Sequence, residues 1–234
     1  MENIKGIQLS DIFLTIVIVT YKRDRQLRSL LSSLACQTDL GFNVIVIHDG
    51  PSLGTEELVM NFNGAFNGTI KFLETNSRHN DYGHTLRELG ISLTETEFLL
   101  LTNDDNYYVP ILVQELRKAL SKSKAKLVLL DLVHSYPDIY TSRFHLLWIR
   151  FLDKLKKYHL IIKLGRKGPY SAVRVKPSRG MIDIGSMVIF SSLAKEIGFP
   201  WRDYDADGKL AEALVERIHS KEIIKLPGLL FIHN

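Results

Sequence analysis

A chain of 234 residues, 24% charged and 45% apolar, can bury one full core and is not polar enough for long disorder. A single cysteine, Cys36, excludes an internal disulfide, and the first apolar run, Ile12 to Val19, is too short for a membrane span and has neither a basic leader nor a small-residue cleavage site, so a cytoplasmic protein is expected. The net charge of +4 is uneven, because Ser142 to Gly180 carries eleven Lys or Arg against one acid, Asp153, and leaves the rest of the chain acidic.

Leu14 to Val19 is a continuous β-branched run, the pattern of a strand buried on both faces. Leu27, Leu30, Leu31 and Leu34 then recur at helical spacing and predict one apolar stripe. Asn43 to His48 reads as a second buried strand, closed by the turn Asp49-Gly50-Pro51 and followed by a helix around Glu56 to Phe62. Ile70 to Leu73 is a third strand, Gly83 to Leu93 a helix, Phe98 to Thr102 a fourth strand, and Pro110 to Ser121 a helix begun by its proline. Leu127 to Val133 is a fifth strand. After the basic segment come extended structure over Met181 to Phe190, a helix from Ser192, and another from about Lys209 to His219. Two last apolar segments, Glu222 to Leu226 and Leu229 to Ile232, are split by Pro227-Gly228.

Strands alternating with helices imply right-handed crossovers and a mainly parallel central sheet with helices on both faces, here with a small antiparallel C-terminal part. Ligands in such sheets bind beyond the carboxyl ends of the strands. The polar residues there are Thr20, Tyr21, Lys22 and Arg23 after the first strand, Asp49 after the second, and Asn103 to Asn106 after the fourth. Asp104 and Asp105 are adjacent carboxylates. Two such charges about 4 Å apart repel by roughly 4 kcal/mol at an effective dielectric near 20, so a partly buried pair needs a cation or protons. Mg²⁺ or Mn²⁺ suits oxygen ligands that leave positions open for phosphate, whereas a plain polar turn ahead of the next helix requires no ion.

The stretch LLLTNDDNYYVP resembles the DxD-type metal motif of the inverting glycosyltransferase family two. TIVIVTYKR is similar to the family's opening strand and nucleotide-binding loop, VIVIHDGPS to its second strand ending in aspartate, and the region of WRDYDADGKL to its acceptor-side acidic motif. The order and spacing carry the match, 28 residues from Tyr21 to Asp49 and 56 from there to Asp105. The resemblance covers the first half of the chain well and the second half in patches. It implies a single GT-A-like α/β domain over 1–234, with a nucleotide-binding half at 1–133 and an acceptor-binding half at 134–234 that includes the basic segment 142–180. The activity it implies is inverting transfer of a sugar from a nucleoside diphosphate, with a UDP-sugar expected, to a hydroxyl of a saccharide or lipid-linked acceptor in surface polysaccharide or glycolipid synthesis. No nucleic-acid partner is expected.

Carried over residue by residue, the resemblance implies that Tyr21, with Thr20 and Arg23 beside it, contacts the nucleotide. It implies that Asp49 accepts a hydrogen bond from a uracil-like nitrogen, Asp104 holds the ribose, and Asp105 holds Mn²⁺ or Mg²⁺. His233, at the end of the terminal strand LLFIHN, is a candidate second metal ligand, although a histidine so placed is often simply exposed. Of Asp203, Asp205 and Asp207, Asp207 is chosen as the base that deprotonates the acceptor and Asp205 stands second. The competing explanation is capping of the following helix. The family's usual asparagine before the metal motif is replaced by Glu88-Leu89. Arg78, His84 and Arg87 can bind phosphate instead, or form a solvated helix face. Asp183 and Ser186 fit either an acceptor pocket or a strand turn. The basic segment fits an anionic membrane surface at its inner face, an acidic substrate, or a surface helix packed on the core. A sugar nucleotidyltransferase is the alternative enzyme, but TYKRDRQ has no glycine to cradle phosphates. A non-catalytic nucleotide-binding module docked on a membrane is the third reading.

Overall fold

The computed structural model describes residues 8–134, 160–165 and 168–233. In chain order its elements are β1 (Leu14–Thr20), α1 (Asp24–Ala35), β2 (Phe42–His48), α2 (Thr55–Met60), β3 (Ile70–Glu74), α3 (His84–Leu93), β4 (Phe98–Asn103), β5 (Tyr107–Tyr108), α4 (Leu112–Leu120) and β6 (Leu127–His134). Then follow β7 (Leu160–Gly165), β8 (Gly168–Val173), a 3₁₀ turn (Ile184–Ser186), β9 (Met187–Phe190), α5 (Ser191–Ile197), α6 (Ala206–Arg217), a second 3₁₀ turn (Ser220–Glu222) and β10 (Ile223–His233). Of the basic segment, 142–159 and 166–167 lie outside the described residues. Its parts 160–165 and 168–173 form the antiparallel pair β7–β8, not a surface helix.

The strands form one sheet in the order β3-β2-β1-β4-β9-β6-β10-β5, with β8 also paired to β6. β3, β2, β1 and β4 are parallel neighbours, as the apolar runs predict. Every residue of β1 is buried, so both faces of this central strand are covered. The four leucines of the α1 stripe, Leu27, Leu30, Leu31 and Leu34, are all fully buried. Between β4 and β6 lies β9, antiparallel to both. The extended segment after the basic region therefore enters the middle of the sheet.

Boundaries differ from the sequence reading where tertiary contacts decide them. Pro110 does not open α4; Ile111 is its N-cap, and the carbonyl of Pro110 instead accepts from Thr38 N. Pro227-Gly228 does not split the last strand. It sits within a register irregularity of β10, which pairs with β6 on either side of it. α6 starts at Ala206 rather than near Lys209, which brings Asp207 into its first turn. No helix among the described residues is long and apolar enough to cross a membrane.

The chain runs β1, β2, β3 toward one edge and then crosses back to β4 on the other side of β1, so the topological switch point lies between β1 and β4. The register sets Thr20 beside His48 and Val19 beside Asn103, which brings the carboxyl ends of β1, β2 and β4 level. α3 packs against β1 through Gly90, where an added Cβ would overlap the Val17 methyls. Gly90→Ala should thus gain about 1 kcal/mol of helix propensity but lose more to overpacking, about 1–3 kcal/mol. A lowered urea midpoint is expected; a raised one would show that α3 and β1 are not in close contact.

Candidate active site

At the switch point, Thr20 Oγ1 donates to Asp104 Oδ2 at 2.7 Å and so ties the end of β1 to the loop after β4. Asp104 is buried, and burial pushes its carboxyl above the ordinary range, with the neighbouring charge of Asp105 adding to the rise and Thr20 and Arg23 opposing it. Arg23 Nη1 lies 2.7 Å from Asp105 Oδ2 and 3.4 Å from Asp104 Oδ1. The acid pair is thus met by a guanidinium. The need for positive charge inferred from two adjacent carboxylates is real, and here a side chain serves it.

Asp49 is buried at the end of β2, its two oxygens accepting from His79 N at 2.7 Å and Asn80 N at 3.1 Å. It holds the loop of residues 78–83 rather than making a simple Asp-Gly turn. From that loop the guanidinium of Arg78 lies 3.8 Å from the centroid of the Tyr21 ring, on a site that also approaches His48 at 5.8 Å. His48 was not singled out from sequence. Its Nδ1 faces Gly50 O at 2.7 Å and its Nε2 faces Lys22 N at 3.2 Å, a pairing that requires the proton on Nδ1. Fully buried at the end of β2, it fixes the loop after β1 in the left-handed turn at Lys22 (φ 53°).

His84 and Arg87 were open to a solvated-face reading, and the structure overturns it, since both are buried. Arg87 Nη1 donates to Tyr82 O at 2.7 Å and to His84 Nδ1 at 3.0 Å, and Nη2 donates to Asn103 Oδ1 at 2.5 Å. His84 Nε2 in turn donates to Asp203 O at 2.9 Å. Burial, then the charge of Arg87, holds His84 below its ordinary value, so the ring is neutral with both nitrogens engaged. Arg87 Nε has no hydrogen-bond partner among the described residues. Preceding these residues, Gly83 has a left-handed φ of 79°, and a Cβ there would come within 2.9 Å of Val19 Cγ2.

Asp207 is a partly buried carboxyl in the first turn of α6. Its Oδ2 accepts from Ile184 N at 3.1 Å, so it bonds across to the 3₁₀ turn instead of capping its own helix. Asp205, the N-cap residue of α6, makes no side-chain capping bond either. Asp205 is exposed, and Asp203 pairs with Lys209. Burial pushes Asp207 above the ordinary carboxylate range, the Arg87 charge opposing. Asp183 is likewise raised by burial, with His233 the main opposing charge. His233 is partly buried, its Nδ1 3.2 Å from Asn106 Oδ1 and 3.6 Å from Asp183 Oδ2. Ser186 is buried in a reciprocal cap with Asp183 and serves the turn.

One cavity of ≈ 780 Å³ collects these groups. Thr20, Tyr21, Arg23, Asp49, Arg87, Asp104, Asp205, Asp207 and His233 line it, as do Arg78, His84 and Asp183. Asp105 is not among the lining residues, but Arg23, which lines the cavity, pairs with it. The described residues assemble no group of three or more His, Cys, Asp or Glu able to hold a metal ion by themselves. Small hard cations are commonly held by one or two carboxylates with phosphate oxygens and water filling the remaining positions, and the Asp104–Asp105 pair fits that donor set.

The model described as Glycosyl transferase family 2 matches residues 15–182. The chain belongs to that family. Solved glycosyltransferases share its fold at low identity. The crystal structure of S. aureus TarS 1-349 superposes with a TM-score of 0.69 at 15% identity, covering 95% of this chain and 60% of that one. The same protein in complex with UDP-GlcNAc gives 0.68 at 15% identity, covering 94% and 58%. The mannosyltransferase PcManGT from Pyrobaculum calidifontis, in complex with GDP-Man and Mn2+, gives 0.59 at 13% identity, covering 97% and 59%. This family 2 chain thus spans about 60% of the length of the TarS 1-349 structure. A search of curated proteins returns no match.

The base candidate makes a stability test. A carboxyl raised in the folded state favours folding when protonated, and that contribution is lost as pH rises from the unfolded value through the folded one. Asp207→Asn should therefore be as stable as the unaltered chain or more so at pH 7, with the difference disappearing below the ordinary carboxylate range. A melting temperature lower at pH 7 than at acid pH relative to the parent would show that the Arg87–Asp207 attraction outweighs burial.

Proposed function

We propose that this glycosyltransferase moves a sugar from a UDP-sugar to a hydroxyl acceptor with inversion at the anomeric carbon, residues 1–133 carrying the donor and 134–234 the acceptor. One observation carries the reading: a single cavity is lined both by the strand-end groups Thr20, Asp49 and Asp104 and by the partly buried carboxyl of Asp207. The UDP-GlcNAc and GDP-Man complexes of structures with this fold support a nucleotide-sugar donor.

In this reading Tyr21 and Arg78 flank the base, and Asp49 accepts from its ring nitrogen with a lone pair not used by the loop amides. Asp104 takes the ribose. Asp105, with His233 as imidazole partner, would hold Mn²⁺ or Mg²⁺. Such an ion, when bound, would neutralise charge developing on the departing diphosphate. Arg23 and Arg87 bring positive charge to the same phosphates. Asp207 removes the acceptor proton, and the burial that raises its proton affinity makes it a stronger base than an ordinary carboxylate. Asp205, at the exposed end of the helix, is the second choice. We place the enzyme in the cytoplasm, with the basic segment 142–180 available for contact with the inner face of the membrane.

UDP with Mn²⁺ at a hundred times its Kd should stabilise the fold by about 2.7 kcal/mol, seen as a raised melting temperature. Asp105→Ala should remove that shift; no shift with UDP in the parent chain would defeat the donor assignment. Asp207→Asn should keep the shift and lose about 10²–10⁴-fold in turnover. The rate should rise with pH along an acid limb lying above the ordinary carboxylate range, because the base works deprotonated. Unchanged turnover in Asp207→Asn would remove it from the chemistry.

A further inference from the structure

Two residues of the cavity have no part in the chemistry above. Tyr82 and Tyr204 line it while remaining 68% and 84% exposed, with ring centroids 6.3 Å apart and planes at 80°. Clustered exposed aromatics beside a cleft mark ligand contact more often than lone ones do. Both rings stand on fixed backbone. Tyr82 has a left-handed φ of 59°, unfavourable for a bulky side chain, and its carbonyl is held at 2.7 Å by the buried guanidinium of Arg87. The residue before Tyr204 gives its carbonyl to His84 at 2.9 Å. The same buried His84–Arg87 pair thus holds both tyrosines in place, and a pre-set contact loses little entropy on binding.

We propose that Tyr82 and Tyr204 form the acceptor subsite and that the acceptor ring they take is an uncharged saccharide, an inference that rests on the transferase reading. A pyranose presents a C–H face that stacks on one ring, while its edge hydroxyls reach the phenolic oxygens of the corner. Tyr204 lies three residues before Asp207, so a sugar seated there brings a hydroxyl toward the base. The surrounding charge selects against phosphate. Among the described residues, Asp81, Glu88, Asp203 and Asp205 flank the corner, and the cations Arg202 and Lys209 beside them are already paired with Asp81, Glu88 and Asp203. Arg78 is drawn instead to Tyr21 and Asp49. A phosphorylated acceptor would meet like charge here.

The test is saturation-transfer NMR on the full chain without nucleotide, using chitotriose, cellotriose and maltotriose as neutral probes and ribitol 5-phosphate as the charged one. At least one trisaccharide should receive saturation and ribitol 5-phosphate should not. Tyr82→Gly combined with Tyr204→Ala, in which glycine accepts the left-handed backbone, should weaken saccharide binding by about tenfold, the loss of a stacking contact and the phenolic hydrogen bonds beside it. The Tyr82→Phe/Tyr204→Phe pair, which keeps the stacking but not the phenolic hydrogen bonds, should lose less than the Gly/Ala variant. The UDP-dependent melting shift, read separately, should survive in both. Binding of ribitol 5-phosphate in preference to every trisaccharide, no trisaccharide binding, or undiminished binding in the Gly/Ala variant would overturn the proposal. So would joint loss of the saccharide signal and the UDP shift, which would make the tyrosines structural. Absence of a UDP shift in the parent chain would instead count against the donor reading, leaving the saccharide result to stand alone.

Discussion

A buried guanidinium organises this end of the molecule. Removing a charged group from water costs several kcal/mol unless hydrogen bonds and opposite charge replace the lost solvation. Arg87 gains three acceptors, from the loop before α3, from α3 itself and from the end of β4. The charges of Asp207, Asp183 and Asp81 act on it through space. The β4 end, the 78–83 loop and the segment leading into α6 are therefore fixed relative to one another by Arg87 together with His84. That positions Asn103 beside the acid pair and Asp203, through His84, ahead of the base. Its Nε, without a partner among the described residues, is the point where this network is incomplete.

Around that centre the carboxyls fall into different environments. Asp104 and Asp105 share the guanidinium of Arg23, the one buried and the other partly open. Asp49 is satisfied by two backbone amides. Asp207 and Asp183 are raised by burial. Acids whose surroundings push them apart in proton affinity can take different roles in one reaction, and a switch point between parallel strands is where an open sheet gathers them.

Much of this was legible in sequence because it depends on local pattern. β-branched runs gave β1, β2 and β4, leucine spacing gave α1, and polar residues following each strand pointed to the edge where Thr20, Asp49 and Asp104 meet. What depends on distant contacts was not. β9 carries an ordinary apolar run, and nothing in it announces insertion between β4 and β6. Pro227-Gly228 has the composition of a break, yet β6 pairs on both sides of it. His84 and Arg87, three residues apart on an amphipathic helix, look the same in sequence whether solvated or buried. Their burial follows from partners as distant as Asn103 and Asp203. His48 was hidden because its work is done by hydrogen bonds to Lys22 and Gly50. Tyr82 and Tyr204 are 122 residues apart in the chain, with β4 to β9 between them, and only the fold brings them together.

The central claim is that the acids behind β4 meet the diphosphate of an activated sugar through a divalent ion. A crystal of the full chain soaked with UDP and MnCl₂ tests it most directly, through the anomalous signal of manganese. A peak bound to Asp105 and to diphosphate oxygens, with Tyr21 and Asp49 at the base, is expected. Density showing Arg23 still seated on both aspartates, with the nucleotide absent from the cavity or bound there without manganese, would contradict it.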